Sequence, residues 1–201
     1  MRILRNLAYF AVGVFLAASF MLGTTHVRAD HPNRERVAAT VHLVSGPNMS
    51  CSAVMIAPER ALTAAHCLGM DSPVMTVGDT EYPVQEGYAA GPRDVAILIV
   101  PGAPCPCATV AETQAVEGAP MTTVGYPFGM IRMVTYGELQ GRLVDPMDGQ
   151  EYLVVTTLGA PGNSGGGVFD ANGDLIGIVS KGAQGVFLLA VELFTMTIPV
   201  K

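Results

Sequence analysis

Basic residues are few in this chain of 201 residues, and tryptophan, internal repeats and low-complexity tracts are absent from its sequence. The chain has 11 lysines and arginines against 17 aspartates and glutamates, which gives a formal net charge of −6. Several of the basic residues lie within positions 1–29, so the remainder of the chain is more acidic still. Because an acidic surface repels the phosphates of DNA and RNA, the composition argues against a nucleic-acid partner.

Residues 1–29 have the pattern of a secretion signal. Arg2 and Arg5 precede an uncharged apolar run at 7–22, and residues 27–29 suit the positions that signal peptidase reads. An uncleaved membrane anchor is the alternative, although the run is short for a span, which needs about 20 residues. No cysteine stands at the cleavage site, which argues against a lipid anchor. We expect cleavage after Ala29 and a secreted or periplasmic protein with no membrane contact.

Apolar residues after the leader fall into short runs that glycine, proline or other turn residues bound. Runs of this length suit β-strands rather than helices. The predicted fold class is therefore all-β, a sandwich or a barrel. The predicted strands cover residues 38–44, 52–56, 95–100, 122–125, 133–136, 152–158, 174–180 and 186–191.

A serine lies among glycines at positions 162–166, in the segment Gly-Asn-Ser-Gly-Gly that follows a strand-like run. Glycines let the backbone turn sharply and direct several N–H groups towards one point. A serine hydroxyl at such a turn can attack a carbonyl carbon while the N–H groups hold the resulting oxyanion. Taken alone, the segment fits an ordinary tight turn between strands equally well.

Two upstream segments supply what a serine nucleophile needs, a base and a carboxylate. His66 lies in Thr-Ala-Ala-His-Cys at 63–67, and an imidazole can accept and return a proton near pH 7. Asp94 begins Asp-Val-Ala-Ile-Leu at 94–98 and can hold that imidazole in one tautomer. The sequence thus predicts that His66, Asp94 and Ser164 form a catalytic triad. The other histidines have no motif around them: His26 in the leader, His31 in a polar segment and His42 in a predicted strand.

These three segments, in the order histidine, aspartate, serine, resemble the trypsin/chymotrypsin superfamily of serine proteases over about residues 41–191. The resemblance implies two antiparallel six-stranded β-barrels with the active site in the cleft between them. Residues 30–201 would form the protease domain, with a first barrel at about 37–104, a linker at about 101–120 and a second barrel at about 120–195. His66 and Asp94 would come from the first barrel and Ser164 from the second.

The resemblance also assigns the residues around the triad. The backbone N–H groups of Gly162 and Ser164 would form the oxyanion hole, and Cys51 would pair with Cys67. One strand would bind the substrate backbone by β-augmentation. Leu158 would lie near the bottom of the primary specificity pocket, and because it is not an aspartate we expect small or medium apolar residues before the cut. The implied substrate-binding residues are Leu158, Ser180, Lys181, Gly182 and Gly185.

Asn163 departs from the trypsin-like digestive enzymes, in which an aspartate before the serine pairs with an amine freed by zymogen cleavage. An asparagine cannot form that ion pair, so activation by the trypsinogen route is not expected. The segments 124–129 and 161–166 are similar to bacterial proteases of the HtrA type. Those enzymes carry PDZ domains, whereas this sequence ends shortly after the last predicted strand, so we expect a small relative without one.

Cys105 and Cys107 have no role in the resemblance. With only Pro106 between them, they can be free thiols, a strained local bridge or a link to another chain. A metal site there is disfavoured, because two ligands are too few and no histidine or cysteine cluster lies nearby. We predict no metal and no cofactor.

The sequence therefore predicts a secreted serine endopeptidase that acts on proteins or peptides through an acyl-enzyme. A non-catalytic binding protein on the same fold is one alternative. An esterase that uses the same triad is another.

Overall fold

A computed structural model of the chain describes residues 33–183 and 187–194, together with Met196 and Ile198. The predicted leader at 1–29 lies outside these residues. The described part begins with a short helix, α1 (Arg34–Ala39), and continues almost entirely as β-strands. Within it, no helix has the length and apolar character needed to cross a bilayer.

The first half of the described chain forms one curled antiparallel sheet of seven strands in the order β5-β4-β1-β2-β3-β7-β6. The edge strands β5 and β6 are not hydrogen-bonded to each other, so this sheet stays open. Its strands are β1 (Val41–Ser45), β2 (Ser50–Ala57), β3 (Arg60–Thr63), β4 (Val74–Val77), β5 (Thr80–Pro83), β6 (Glu86–Ala89) and β7 (Ala96–Ile99).

The second half forms a closed six-stranded antiparallel barrel in the order β10-β13-β12-β11-β8-β9. Closure leaves no unpaired sheet edge around the barrel, although single strands extend beyond their partners. Its strands are β8 (Pro120–Gly125), β9 (Met133–Val144), β10 (Glu151–Val155), β11 (Gly167–Phe169), β12 (Leu175–Ala183) and β13 (Phe187–Glu192).

A shared hydrophobic core joins the two sheets. Val54 and Ile97 from the first sheet lie in the same buried cluster as Tyr152 and Ile178 from the barrel. Strands such as β2, β10 and β13 place most of their side chains in this cluster or in the interior of their own sheet. The segments predicted to carry His66, Asp94 and Ser164 therefore belong to two sheets that share one hydrophobic core.

The predicted fold class is confirmed, with two differences in detail. The first sheet has seven strands and is open, whereas the resemblance implied a closed barrel of six. The segment predicted as a strand from residue 38 begins instead with the end of α1, and β1 starts at Val41. Tertiary contacts account for the helix, because Asn33 donates from Nδ2 to the carbonyl oxygen of Ala171 at 2.8 Å and Arg36 donates to that of Asn172.

Candidate active site

His66 lies in a short 3₁₀ helix, η1 (Ala65–Gly69), that follows β3. The disulfide between Cys51 in β2 and Cys67 in η1 fixes this helix to the sheet, with a Cα–Cα distance of 6.3 Å. Both cysteines are buried, whereas the His66 side chain is 48% exposed. The bridge predicted from the resemblance is therefore formed. Its buried cysteines fix the backbone next to His66, while the imidazole itself stays at the protein surface.

Asp94 holds His66 at two points. Nδ1 of His66 lies 2.8 Å from Oδ2 of Asp94, and the backbone N–H of His66 donates to Oδ1 at 2.9 Å. With Nδ1 directed at the carboxylate, Nε2 is the ring nitrogen that can take up a proton from a nucleophile. Asp94 lies two residues before β7, whose pairing with β3 brings Asp94 close to His66.

The environment of Asp94 keeps its carboxyl ionised. Burial by itself raises the pKa of this carboxyl, because a buried charge loses its hydration. Hydrogen bonds from the His66 ring, the Ser180 hydroxyl and the His66 backbone N–H act in the opposite direction, together with the charge of His66. The result is a pKa lowered from 3.8 to about 2. The site thus presents a permanent negative charge to the imidazole at neutral pH.

Ser180 connects Asp94 with Ser164. Its hydroxyl donates to Oδ2 of Asp94 at 2.5 Å, and its carbonyl oxygen accepts a hydrogen bond from Oγ of Ser164 at 3.4 Å. Oγ of Ser164 makes no hydrogen bond with the His66 ring in the described part of the chain. Asp94 therefore contacts both His66 and Ser180, and Ser180 contacts Ser164, so the histidine–aspartate pair is formed and the serine–histidine pair is open.

The serine turn is held by the first sheet. The Ser52 hydroxyl in β2 donates to the carbonyl oxygen of Gly162 at 2.9 Å, and the Ser52 backbone N–H donates to the carbonyl oxygen of Ser164 at 2.7 Å. Gly165 donates its N–H to the carbonyl oxygen of Val179 in β12 at 2.7 Å. The turn is thus tied to both sheets.

Gly162 occupies a position that only glycine can take. Its φ is +93°, and an added Cβ would stand 2.4 Å from the carbonyl oxygen of Tyr126 and 2.9 Å from the backbone nitrogen of Phe128. The N–H groups of Gly162 and Ser164, the predicted oxyanion donors, are not donors in any backbone hydrogen bond among the described residues. Neither N–H group is therefore taken up by a backbone acceptor in the described part of the chain.

Asn163 is buried between these two residues. Its Nδ2 donates to the carbonyl oxygen of Leu158 at 3.4 Å, and its side chain packs on Gly125, where an added Cβ would stand 2.8 Å from Oδ1. The neutral amide thus makes a local contact within the serine loop. Leu158 itself is 64% exposed, and its predicted place near the bottom of the specificity pocket stays a prediction.

The predicted substrate-binding strand is β12. Lys181 and Gly182 pair with Leu189 and Leu188 of β13 on one edge, while the pairing of β12 with β11 ends at Ile178. On that second edge, described residues of β12 beyond Val179 have no neighbouring strand. A strand edge of this kind can bind an extended peptide. Gly185 lies outside the described residues.

The Lys181 side chain is held by the turn between β9 and β10. Its Nζ donates to Oδ2 of Asp145 at 2.7 Å and to Oδ2 of Asp148 at 2.5 Å. The ammonium also lies 4.8 Å from the centre of the Tyr152 ring, a cation–π contact. Any contact of Lys181 with a substrate therefore falls to its backbone.

Two other groups contain residue types that can catalyse reactions or bind metals, His42 and the cluster of Cys51, His66 and Cys67. His42 lies in β1 and is buried; burial, then the charge of Arg132, lowers its pKa to about 4, so this ring is neutral near pH 7. Cys51, His66 and Cys67 place their ligand atoms within 4.8 Å of one another. Because the two sulfurs are joined in the disulfide, they offer no thiolates, and this group lacks the ligands of a metal site.

Sequence reasoning missed two supporting residues, Ser52 and Arg93. Arg93 donates from Nη1 to the carbonyl oxygen of Glu192 at 3.2 Å and from Nη2 to that of Glu151 at 2.5 Å, which docks the Asp94 loop on the barrel. Arg93 stands beside a motif residue, but its partners lie 58 and 99 positions away. No local pattern in the sequence signals either role.

A histidine held by a carboxylate, and a serine in a glycine turn between two β-sheets, define the class of chymotrypsin-like serine peptidases. The family model of the trypsin-like peptidase domain matches residues 51–178. The chain therefore belongs to the trypsin-like peptidase family, which confirms the predicted family and enzyme class.

Known proteins from mycobacteria and pseudomonads are similar to this chain. Serine protease Rv3671c of Mycobacterium tuberculosis is 28% identical over 136 residues, which cover 62% of this chain and 34% of that protein. "Probable periplasmic serine endoprotease DegP-like" of Pseudomonas putida is 35% identical over 92 residues, or 44% of this chain and 19% of that protein. The matches thus span about a third or less of these relatives.

Solved structures show the same fold. The inactive form of Rv3671c protease superposes with a TM-score of 0.73 at 25% identity, covering 82% of this chain and 88% of that one. The HtrA-type protease AlgW with a tripeptide has a TM-score of 0.68 at 27% identity, with 79% of this chain and 58% of that one covered.

Proposed function

We propose that this chain is a serine endopeptidase that hydrolyses peptide bonds through Ser164, His66 and Asp94. The observation that carries the proposal is the two-point contact between Asp94 and His66, at 2.8 and 2.9 Å, beside a Ser180 that touches both Asp94 and Ser164. This arrangement brings together residues that lie 28 and 86 positions apart in sequence. If His66, Asp94 or Ser180 had a purely structural role, these residues would not need to lie in contact with one another and with Ser164.

The chemistry follows from the orientation of the imidazole. Oγ of Ser164 attacks the scissile carbonyl carbon while Nε2 of His66 takes its proton, and the backbone N–H groups of Gly162 and Ser164 hold the oxyanion. Nε2 then returns the proton to the leaving amine, which leaves an acyl-enzyme. Water, activated by the same nitrogen, hydrolyses the ester and regenerates Ser164. Asp94 orients the ring and stabilises its cationic form throughout.

The substrate in this proposal is an extended peptide that lies along the open edge of β12, at Ser180, Lys181 and Gly182. The lack of a strand beside this edge among the described residues supports the place of binding, and the tripeptide named with the AlgW structure supports a peptide as the class of substrate. Leu158 and Gly185 would contribute to the pocket for the residue before the cut. An apolar Leu158 favours a small or medium apolar side chain there.

Export is part of the same proposal. The signal-like pattern at 1–29 supports it, and the Pseudomonas putida relative is named as periplasmic. We propose that the peptidase acts after cleavage behind Ala29, in the periplasm or outside the cell. N-terminal sequencing of the exported protein tests the position of that cleavage.

A non-catalytic binding protein is the second candidate, because no hydrogen bond joins Ser164 to His66 in the described part of the chain. Such contacts are often long in unliganded enzymes and tighten with substrate bound, so the open pair does not by itself favour this candidate over catalysis. A fluorophosphonate probe separates the two functions. An active enzyme is labelled at Ser164, and a binding protein is not.

The decisive variant is Ser164→Ala. We expect it to lose both labelling and peptide hydrolysis while keeping the melting temperature of the wild-type protein within a few degrees, because among the described residues the hydroxyl makes only one long hydrogen bond. Near-wild-type hydrolysis by this variant would refute the mechanism. Labelling of the wild type with turnover of esters but not of peptides would instead identify an esterase.

A further inference from the structure

We propose that Cys105 and Cys107 form a thiol–disulfide exchange site that accepts a partner carrying two thiols. The two cysteines lie in the connection between β7 of the first sheet and β8 of the barrel. The structure joins them in a disulfide across a single residue, Pro106. This segment contains none of the residues assigned to the peptidase site, so the inference stands apart from the proposed function.

Exposure distinguishes this bridge from the other one. Cys51 and Cys67 are 2% and 5% exposed, whereas Cys107 is exposed and Cys105 is half-buried against the core of the first sheet. Disulfides are opened by a thiolate that must reach one of the two sulfur atoms. Because Cys107 is the more exposed residue, its Sγ is the atom that an incoming thiolate attacks, and Cys105 is the leaving thiol.

Loop length also makes this bridge the easier one to open. A disulfide stabilises the folded state because it lowers the entropy of the unfolded chain, and this effect grows with the number of residues that the bridge encloses. By thermodynamic linkage, folding stabilises the disulfide against reduction by the same amount. Cys51 and Cys67 are 16 positions apart, whereas Cys105 and Cys107 are 2 apart. The folded state thus protects the short bridge less, which is typical of exchangeable disulfides.

The segment is anchored on both sides, so opening the bridge need not disturb the sheets. Before it, the N–H of Gly102 donates to Oε1 of Glu59 at 2.7 Å. After it, the N–H of buried Ala108 donates to the carbonyl oxygen of Met55 in β2 at 2.8 Å. The conformational change on reduction is therefore confined to about the residues between these anchors.

The reaction balances with a dithiol as the reductant. One thiolate of the partner attacks Sγ of Cys107, which forms a mixed disulfide and breaks the bond to Cys105, and the Cys105 thiolate takes a proton from solvent. The second thiol of the partner, after losing its proton, attacks the partner's own sulfur in the mixed disulfide and releases Cys107 as a thiolate. The partner loses two electrons and becomes a disulfide, and this chain gains a pair of thiols.

The test compares the two bridges within one molecule. Full-length Ser164→Ala protein, chosen to prevent self-cleavage, is equilibrated with graded mixtures of reduced and oxidised glutathione, alkylated and mapped by mass spectrometry. The ratio of the squared glutathione concentration to the glutathione disulfide concentration sets how far each bridge is reduced. We expect the Cys105–Cys107 bridge to be half reduced at a ratio at least tenfold lower than the ratio that half reduces the Cys51–Cys67 bridge. This tenfold difference corresponds to a difference in reduction potential of about 30 mV. Equal or greater resistance to reduction overturns the proposal, as does failure of the pair to close under excess glutathione disulfide.

Single-cysteine variants test the direction of attack. Cys105→Ser leaves the exposed Cys107, and Cys107→Ser leaves the half-buried Cys105. We expect glutathione disulfide to modify Cys107 at least fivefold faster than Cys105, and dithiothreitol to be oxidised by the wild type in a one-to-one ratio. Faster modification of Cys105, or no oxidation of dithiothreitol, contradicts the mechanism. Fluorophosphonate labelling of the doubly substituted protein serves as the control for an intact fold and should match that of the wild type.

Discussion

Asp94 illustrates what a single residue contributes to this molecule. Its carboxylate is largely withdrawn from water, with 17% of the side chain exposed, which alone would favour the neutral acid. Donors from His66 and Ser180 reverse that preference. The same contacts that orient the imidazole therefore make the charge of Asp94 a source of stability, in addition to the catalytic role proposed for it.

The pH dependence of unfolding should reveal this contribution. In the folded protein the pKa of Asp94 is about 2, against 3.8 for an ordinary aspartate, so folding favours the ionised form. The contribution is complete above about pH 4 and is lost as the pH falls towards 2. We expect the difference in unfolding free energy between wild type and Asp94→Asn to shrink over that interval in urea titrations. A difference that stays constant from pH 7 to pH 2 would contradict the assignment, and Ser180→Ala, which lacks one donor, should show a smaller effect.

Gly162 shows how backbone geometry acts at the scale of a residue. Gly162→Ala would force a Cβ against Tyr126 at a positive φ, and the predicted oxyanion N–H would have to move. We expect kcat for a peptide to fall by about 100-fold or more, the usual effect of losing one oxyanion donor. Gly149→Ala is the matched control, because Gly149 also has a positive φ, +68°, but an added Cβ there meets nothing within 4 Å. That variant should lose about 1 kcal/mol of stability and keep its kcat; equal kcat values for the two variants would refute the argument.

At the scale of elements, the loop before β7 depends on Arg93. This loop belongs to the first sheet and contains Asp94. The Arg93 guanidinium donates hydrogen bonds from this loop to the carbonyl oxygens of Glu151 in β10 and Glu192 in β13. The Glu192 side chain is itself buried and paired with Arg142 at 2.8 Å. The position of Asp94 relative to Ser164 is therefore set by contacts with the barrel as well as by its own sheet.

Arg93→Ala should uncouple these elements. Each lost hydrogen bond from a charged donor is worth about 1.5–3 kcal/mol, so we expect a lower unfolding free energy together with a kcat about tenfold lower. Arg36→Ala is the control, because Arg36 also donates to a distant backbone carbonyl, that of Asn172, but stands on α1 away from the triad. The control should lose stability without losing kcat. If both variants keep wild-type kcat, Arg93 does not position Asp94.

The strands differ in how far the sequence predicted them. Runs of apolar residues indicated β1, β2, β7–β10, β12 and β13, because their side chains pack on one or both faces. The strands β5 and β6 were missed, since they are edge strands with mostly exposed side chains and little apolar pattern. The strands β3, β4 and β11 were also missed, and their pairing with neighbouring strands defines them in the structure.

For the whole molecule, the Cys51–Cys67 disulfide anchors the helix that carries His66, and the shared core holds the two sheets together. Replacing both cysteines by alanine should lower the unfolding free energy by about 3 kcal/mol on the chain-entropy model for a loop of this length. Urea unfolding with a fixed m-value measures this loss. Replacing Cys105 and Cys107 by serine should cost clearly less, and an equal cost for both pairs would show that loop length does not govern the effect.

The sequence determined the family, the fold class and the residues proposed for catalysis, because a nucleophile, a base and a carboxylate need particular residue types in particular local settings. The glycines around Ser164 and the cysteine beside His66 are local requirements of this kind, and they can be recognised without coordinates. Only the tertiary structure decided how these residues are held: Ser180 between Asp94 and Ser164, Ser52 beneath the serine turn, and Arg93 across the two sheets. Those contacts join residues that are far apart in the chain, so their energies depend on how the sheets pack and not on any neighbouring residue.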